Sequence, residues 1–179
     1  MRSQMVDLWS TISSERLSLV ALTPDLLAMM SGEVASERPF EWPTGWPDDV
    51  DRVHVSMWLE RAAQSDVNVA WGPRALVDAH GQMVGHAGFH LPPRPLEAAL
   101  GDASFVGKRD PAAGGVVEVG YTIFPSCRHQ GYATEAVTAL VCWADTSGEV
   151  TAVLASVVEH NDASVRVLDL VEVPLGERV

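Results

Sequence analysis

The chain is nearly without lysine. Of its 12 basic residues only Lys108 is one, against 24 acidic residues, and the formal net charge is −12. A surface of this sign repels nucleic-acid phosphates and anionic lipid headgroups, which are bound through neutralising cations. No nucleic-acid and no membrane partner is therefore expected, and the field favours cationic partners such as amines. Cysteine is scarce as well. Cys127 and Cys142 stand alone, with no Cys-x-x-Cys pair and no Cys/His cluster, so no metal site is expected. Two isolated thiols fit a reducing, cytoplasmic setting. No apolar run approaches the roughly 20 residues that cross a bilayer. The opening segment "MRSQMVDLWS" lacks the apolar heart of a secretion signal. Two common phosphate motifs are missing too. There is no GxxxxGK followed by Ser or Thr, and no GxGxxG with a later acidic residue, which argues against a nucleoside-triphosphate loop and a dinucleotide fold.

What is present suffices for one domain over 1–179. The 179 residues are 47% hydrophobic, enough for a core. "ERLSLVAL" (15–22) alternates Leu17, Leu19 and Ala21, with Arg16 and Ser18 between, which predicts a strand. Thr23, Pro24 and Asp25 read as N-cap, first helical position and first-turn acid of a short helix ending near Met30. Residues 31–49 are dense in Gly, Pro and Trp and predict irregular structure. Asp48 or Asp49 caps a second helix, with Val50, Val53, Met57, Trp58 and Ala62 as its stripe. Residues 69–91 read as two strands about the turn Asp78-Ala79-His80-Gly81. The Pro/Gly/Ala-rich stretch 92–115 reads as a surface excursion. A strand over 116–124, a helix over 132–145, a strand over 150–158 and a short helix over 161–170 complete the order. The tail has room for one short strand at most. Mixed order of this kind predicts an α/β or α+β domain.

The informative stretch is "CRHQGYATEA", 127–136. It links a strand ending at Phe124 to a helix starting near Tyr132. The first N–H groups of a helix lack intrahelical partners and, with the helix dipole, make an anion seat. Gly131 lets backbone approach a ligand closely, Ala133 keeps the approach open, and Arg128 supplies a guanidinium suited to phosphate oxygens.

The run Arg128-His129-Gln130-Gly131-Tyr132-Ala133 fits the signature Gln/Arg-x-x-Gly-x-Gly/Ala. With "EVGYTIFP" before it and "TEAVTALVCWA" after it, the stretch resembles the GNAT family, the Gcn5-related N-acetyltransferases. The resemblance is nearest to the branch that acetylates ribosomal-protein N-termini. Arg16-Leu17-Ser18-Leu19 with Asp25, and later Asn161, Ser164 and Leu168, echo that branch, so the likeness runs over about 14–170. It implies a central mixed, mostly antiparallel sheet flanked by helices, with two splayed parallel strands at the cofactor site. It implies acetyl transfer from acetyl-CoA to a primary amine, of a protein N-terminus or a small molecule, by direct attack. The loop Arg128 to Ala133 would bind the pyrophosphate. The main chain of Tyr121, Thr122 and Ile123 would bind the pantetheine arm, and Asn161 would contact the pantetheine or the acetyl end. Glu118 is the expected base, directly or through water, with His86 and His90 as alternatives. Ser164 is a candidate donor to the departing thiolate.

Acceptor contacts are expected from the irregular segment and the hairpin. Phe40, Trp42, Trp46 and His86 would wall a pocket, and Glu37, Glu41 and Asp48 would hold an amine.

The sequence also departs from the family. A tyrosine acid common in the family falls at the position of Leu168, so another group protonates the sulfur or the thiolate leaves unaided. After Leu168 the family has a Gly-Phe pair and two more strands that close the sheet; here "DLVEVPLGERV" follows. The expectation is a sheet lacking its last strands after about residue 170, with an open edge that a homodimer would cover. A chain of that kind could equally be an acyl-CoA-binding or sensor relative without efficient turnover.

Overall fold

A computed structural model of the protein describes residues 10–33, 37–95, 104–108, 114–157 and 160–171. Among the described residues, seven strands and five α-helices follow one another: β1 (Ile12–Ser13), β2 (Leu17–Ala21), α1 (Pro24–Ser31), α2 (Asp49–Ala62), α3 (Asp66–Ala70), β3 (Pro73–Asp78), β4 (Met83–Phe89), β5 (Ser104–Lys108), β6 (Gly115–Ile123), α4 (Tyr132–Ser147), β7 (Val150–Ala155) and α5 (Asp162–Leu170). The strands form one sheet in the order β1-β2-β3-β4-β6-β7-β5. All pairs are antiparallel except β6 and β7.

The sheet carries apolar residues on both faces, so helices cover both. On one face Leu19, Leu76, Val117 and Val119 meet the α4 stripe Val137, Leu140, Val141 and Ala144. On the other, Ala21, Ala75 and Val77 meet Leu26, Leu27 and Met30 of α1 and Val55 and Ala62 of α2. Local chemistry sets the ends. Thr23 caps α1, and Gly32 in the left-handed region closes it. The turn expected at Asp78–Gly81 forms, with the Asp78 carboxylate accepting from the N–H groups of His80 and Gln82 at 2.9 Å each.

Three expectations are corrected. The inward side of α2 is Val55, Trp58, Leu59 and Ala62, so Trp58 and Ala62 of the expected stripe pack inward, while Val50 and Val53 are exposed. Residues 69–72 are not strand, because Ser65 caps a short helix that ends at Ala70. The excursion after β4 contains β5, which pairs with β7 from Ser104↔Ala155 to Lys108↔Ala152. β7 therefore has a paired strand on each side. The tail, where the last strands were judged missing, lies largely outside the described residues.

The parallel pair positions the site. Its ladder runs from Gly115↔Val150 to Glu118↔Leu154 and stops. β6 continues to Ile123 paired with β4 alone. A groove therefore opens between the two strands beyond Glu118.

Candidate active site

The loop after β6 is held from a distant part of the chain. Its residues turn back on themselves: His129 has φ 62° and Gly131 φ 81°. Gly131 then becomes the N-cap of α4, and no side chain caps that helix. Among the described helices the others are capped by Thr23, Asp48, Ser65 and Asn161. The first N–H groups of α4 are thus left for an anion. Arg16 anchors the loop. Its Nη1 donates to the Gln130 carbonyl at 2.9 Å, and its guanidinium lies 4.8 Å from the centre of the Tyr132 ring. Nε and Nη2 both reach Glu135 Oε2 at 2.7 Å, while Ser14 Oγ donates to Oε1 at 2.7 Å. Burial raises the pKa of Glu135, but the bonds from Ser14 and Arg16 outweigh it and hold the carboxyl below its ordinary value. Neither Arg16 nor Glu135 was expected as a site residue, and the pairing of two residues so far apart in the chain leaves no mark in local pattern.

Arg128 folds back, with Nε donating to the Ile123 carbonyl at 3.0 Å. His129 and Gln130 are exposed on the loop, and Ala133 is half-buried against the core.

The backbone of β6 is divided between two sides. His90 N donates to Glu118 O, and Phe124 N to Val84 O, both at 2.9 Å. Antiparallel pairing alternates, so the even-numbered residues between them also bond β4. Val119, Tyr121 and Ile123 therefore turn their main-chain groups toward the groove, whereas Thr122 turns its own toward β4. Of the three residues expected to bond the pantetheine arm, Tyr121 and Ile123 turn their main chain to the groove and Thr122 turns its main chain to β4. The Tyr121 hydroxyl crosses to α5 and donates to the Ser164 carbonyl at 3.3 Å. Burial pushes its pKa up, against the lowering effect of that bond, so the phenol stays protonated. Asn161 caps α5, its side-chain oxygen accepting from Ser164 N at 3.1 Å.

A cleft of about 630 Å³ joins this groove to the α2 face of the sheet and is lined by Tyr121, Asn161, Ser164 and Leu168 on one side. On the other side it meets Glu118. Ser156 Oγ donates to Glu118 Oε1 at 2.5 Å, and His90 Nδ1 lies 3.4 Å from Oε2. The His90 ring fits because residue 120 is glycine: a Cβ there would stand 2.5 Å from His90 Nε2. Glu118 and His90, weighed as alternative bases, thus form one pair. His86 stands apart, edge-on to Trp58 with ring centres 4.9 Å apart. It is buried, its Nε2 meets no hydrogen-bond partner, and desolvation pushes its pKa down to about 4.

The aromatic wall proposed from the irregular segment is not there. Phe40 and Trp42 are buried in the core, ring against ring at 6.0 Å, and Trp46 packs on Phe124 at 5.6 Å. None of the three lines the cleft, and neither do Glu37, Glu41 or Asp48. Asp48 is spent on capping α2, and Glu41 pairs with Arg38 at 3.7 Å. The wall comes instead from α2, through His54, Met57, Trp58 and Arg61. Met57 and Trp58 were visible in the sequence as part of the apolar stripe of α2, but not as a wall of the cleft; His54 and Arg61 were not singled out. No group of three or more potential metal ligands occurs among the described residues, and no described helix is long and apolar enough to cross a membrane.

Comparison with known proteins agrees with this geometry. The chain matches the acetyltransferase (GNAT) domain family over residues 16–170. No protein of curated function matches it in sequence. Among solved structures it is similar to a protein assigned to the GnaT-family acetyltransferases of Bordetella pertussis, at 22% identity and TM-score 0.60, over 89% of this chain and 86% of that one. An acetyltransferase of Agrobacterium tumefaciens is 20% identical with TM-score 0.56, over 99% and 93%. A ribosomal-protein alanine acetyltransferase of Vibrio fischeri is 12% identical with TM-score 0.54, over 90% and 81%. At these identities the likeness is one of fold.

Proposed function

The chain belongs to the GNAT acetyltransferases, and from that membership we propose that it moves an acetyl group from acetyl-CoA to a primary amine by direct attack. The observation that carries this reading is the end of the β6–β7 ladder at Glu118↔Leu154, followed, past the stretch of β6 that β7 leaves free, by an α4 N-terminus that no side chain caps. An extended arm fits the groove, and its pyrophosphate fits the helix end. The N–H groups that open α4, with the Gly131 backbone, would hold the pyrophosphate, and Val119, Tyr121 and Ile123 would bond the arm through their main chains. Acetyl-CoA, so placed, supplies the activated acyl group.

The protein's own residues would do the rest. Glu118, oriented by Ser156 and backed by His90, takes the proton that the amine must lose. The pair sits where the ladder ends, which is where the acyl end of an arm in the groove would lie. Tyr121 keeps its proton through burial and reaches α5 beside Ser164. Tyr121, which the sequence did not point to for this role, lines the cleft together with Ser164, and one of these two hydroxyls would give the thiolate its proton in place of a residue at Leu168.

Release of free thiol from acetyl-CoA across a panel of amines, with Glu118→Gln as control, tests the reading. Turnover that falls steeply in the variant supports it. Tight coenzyme A binding with no turnover on any amine would instead make the protein an acyl-CoA-binding relative.

A further inference from the structure

The charge inside the cleft runs against the charge of the chain. Acidic residues outnumber basic ones by 24 to 12 overall. Yet among the described residues Arg61, Arg94 and Glu118 are the charged side chains that line the cleft, joined by His54, His86 and His90. The one carboxylate is already engaged by Ser156 and His90. Among the described residues, no free acid faces the cleft to hold a second ammonium, so the site does not suit a polyamine.

The two arginines are not placed for the cofactor's phosphates. Arg94 pairs through its backbone with Val116, at the opposite end of β6 from the loop. A strand rises about 3.3 Å per residue, which puts roughly 25 Å between Val116 and the end of the strand at Phe124. Arg61 lies on α2 and donates to the His90 carbonyl at 2.9 Å, so its guanidinium is fixed beside the catalytic pair. Two guanidiniums at the acceptor end of a chain this acidic call for an anion, and a planar fork matches a carboxylate.

We infer that the acceptor is an amine that also bears a carboxylate, an amino-acid-type acceptor whose carboxylate is held by Arg61 and Arg94 while its amine faces Glu118. The inference rests on the transfer reading above. Opposite charge at one end and a proton acceptor at the other fix the direction in which such a molecule enters. Binding through the carboxylate presents the amine, not the acid, to the acyl group.

The test uses the full chain with acetyl-CoA and matched acceptors: leucine against leucinamide, and spermidine as a cation without an acid. Rates are referred to the fraction of neutral amine. Leucine is expected to exceed leucinamide about tenfold in kcat/KM, the size of one lost charge-assisted contact. Arg94→Gln should bring that ratio toward one, and Arg94→Lys should keep most of it. A ratio near one in the native protein, a preference for leucinamide or spermidine, or a preference that survives both Arg61→Gln and Arg94→Gln overturns the inference. If no acceptor is turned over, transfer itself has failed. The polarity of the cleft is then decided by ligand-detected NMR in the presence of coenzyme A, where leucine must bind and leucinamide must bind more weakly.

Discussion

Arg16 and Glu135 meet across the whole fold: the guanidinium of one places two nitrogens at 2.7 Å from a single carboxylate oxygen of the other. The Arg16 backbone N–H takes the second oxygen at 2.7 Å. β2 is thereby fastened to the first turn of α4, and the loop between β6 and α4 is stretched over the fastening. Arg16 is part-exposed, so the ion pair contributes little to global stability. Its effect should appear in the loop.

Arg16→Gln is therefore expected to weaken coenzyme A binding about tenfold, near 1.4 kcal/mol, while the melting temperature shifts little. Titration calorimetry with coenzyme A measures the first and a thermal melt the second. An affinity equal to that of the native protein would show that the loop keeps its shape without the clamp. The pair also carries a pH signature. The carboxyl of Glu135 is held below its ordinary value, so its contribution is present above that value and is lost as pH falls through the folded one.

Gly131→Ala tests the same loop from within. Its φ of 81° is left-handed, and an added Cβ would stand 3.3 Å from Arg16 Nη2. The backbone cost is about 1–2 kcal/mol for a residue with a side chain, and Arg16 must also shift. Coenzyme A affinity should drop more in this variant than in Arg16→Gln. A variant that binds as well as the native protein would remove the loop from the cofactor site.

Much of this loop was legible in the sequence, because its features are local. A strand broken by a proline, a glycine before a helix and an arginine between them all lie within ten positions. The turn at Asp78 and the caps at Thr23 and Asp48 were legible for the same reason. What escaped were relations between distant segments. Phe40 and Trp42 look like pocket walls in a Pro/Trp-rich stretch, yet the sheet face beneath them buries them. β5 hides in a Pro/Gly/Ala-rich excursion, and only the free edge of β7 gives its residues a reason to extend. Glu118 and His90 were each visible as candidates. Their union depends on the register of β4 against β6 and on the missing side chain at Gly120.

Glu118→Gln removes the base but keeps the shape and the bond from Ser156. General-base catalysis is worth about 100- to 10,000-fold, so kcat should fall within that range while coenzyme A binding stays near native. Gly120→Ala is the companion. It leaves Glu118 in place and pushes the His90 ring away, and a smaller loss of kcat is expected. A Glu118→Gln variant as active as the native protein would mean that the amine reaches the site already neutral and needs no base.

His86 gives the protein a stability that depends on pH. Its pKa falls from the usual 6.5 to about 4, with desolvation the main cause and the nearby His54 a second. The unfolded chain binds a proton more readily between those two values, so folded stability declines as pH drops from 6.5 toward 4. The full span is worth about 3 kcal/mol, at 1.36 kcal/mol per unit. His86→Leu keeps an apolar group against Trp58 and has no proton to gain. Urea unfolding at pH 7 and pH 5 should show a clear loss for the native protein and a flatter response for the variant. Equal slopes would place the acid sensitivity elsewhere, with Glu135 the next group to examine, since its partners also let go as the solution becomes acidic.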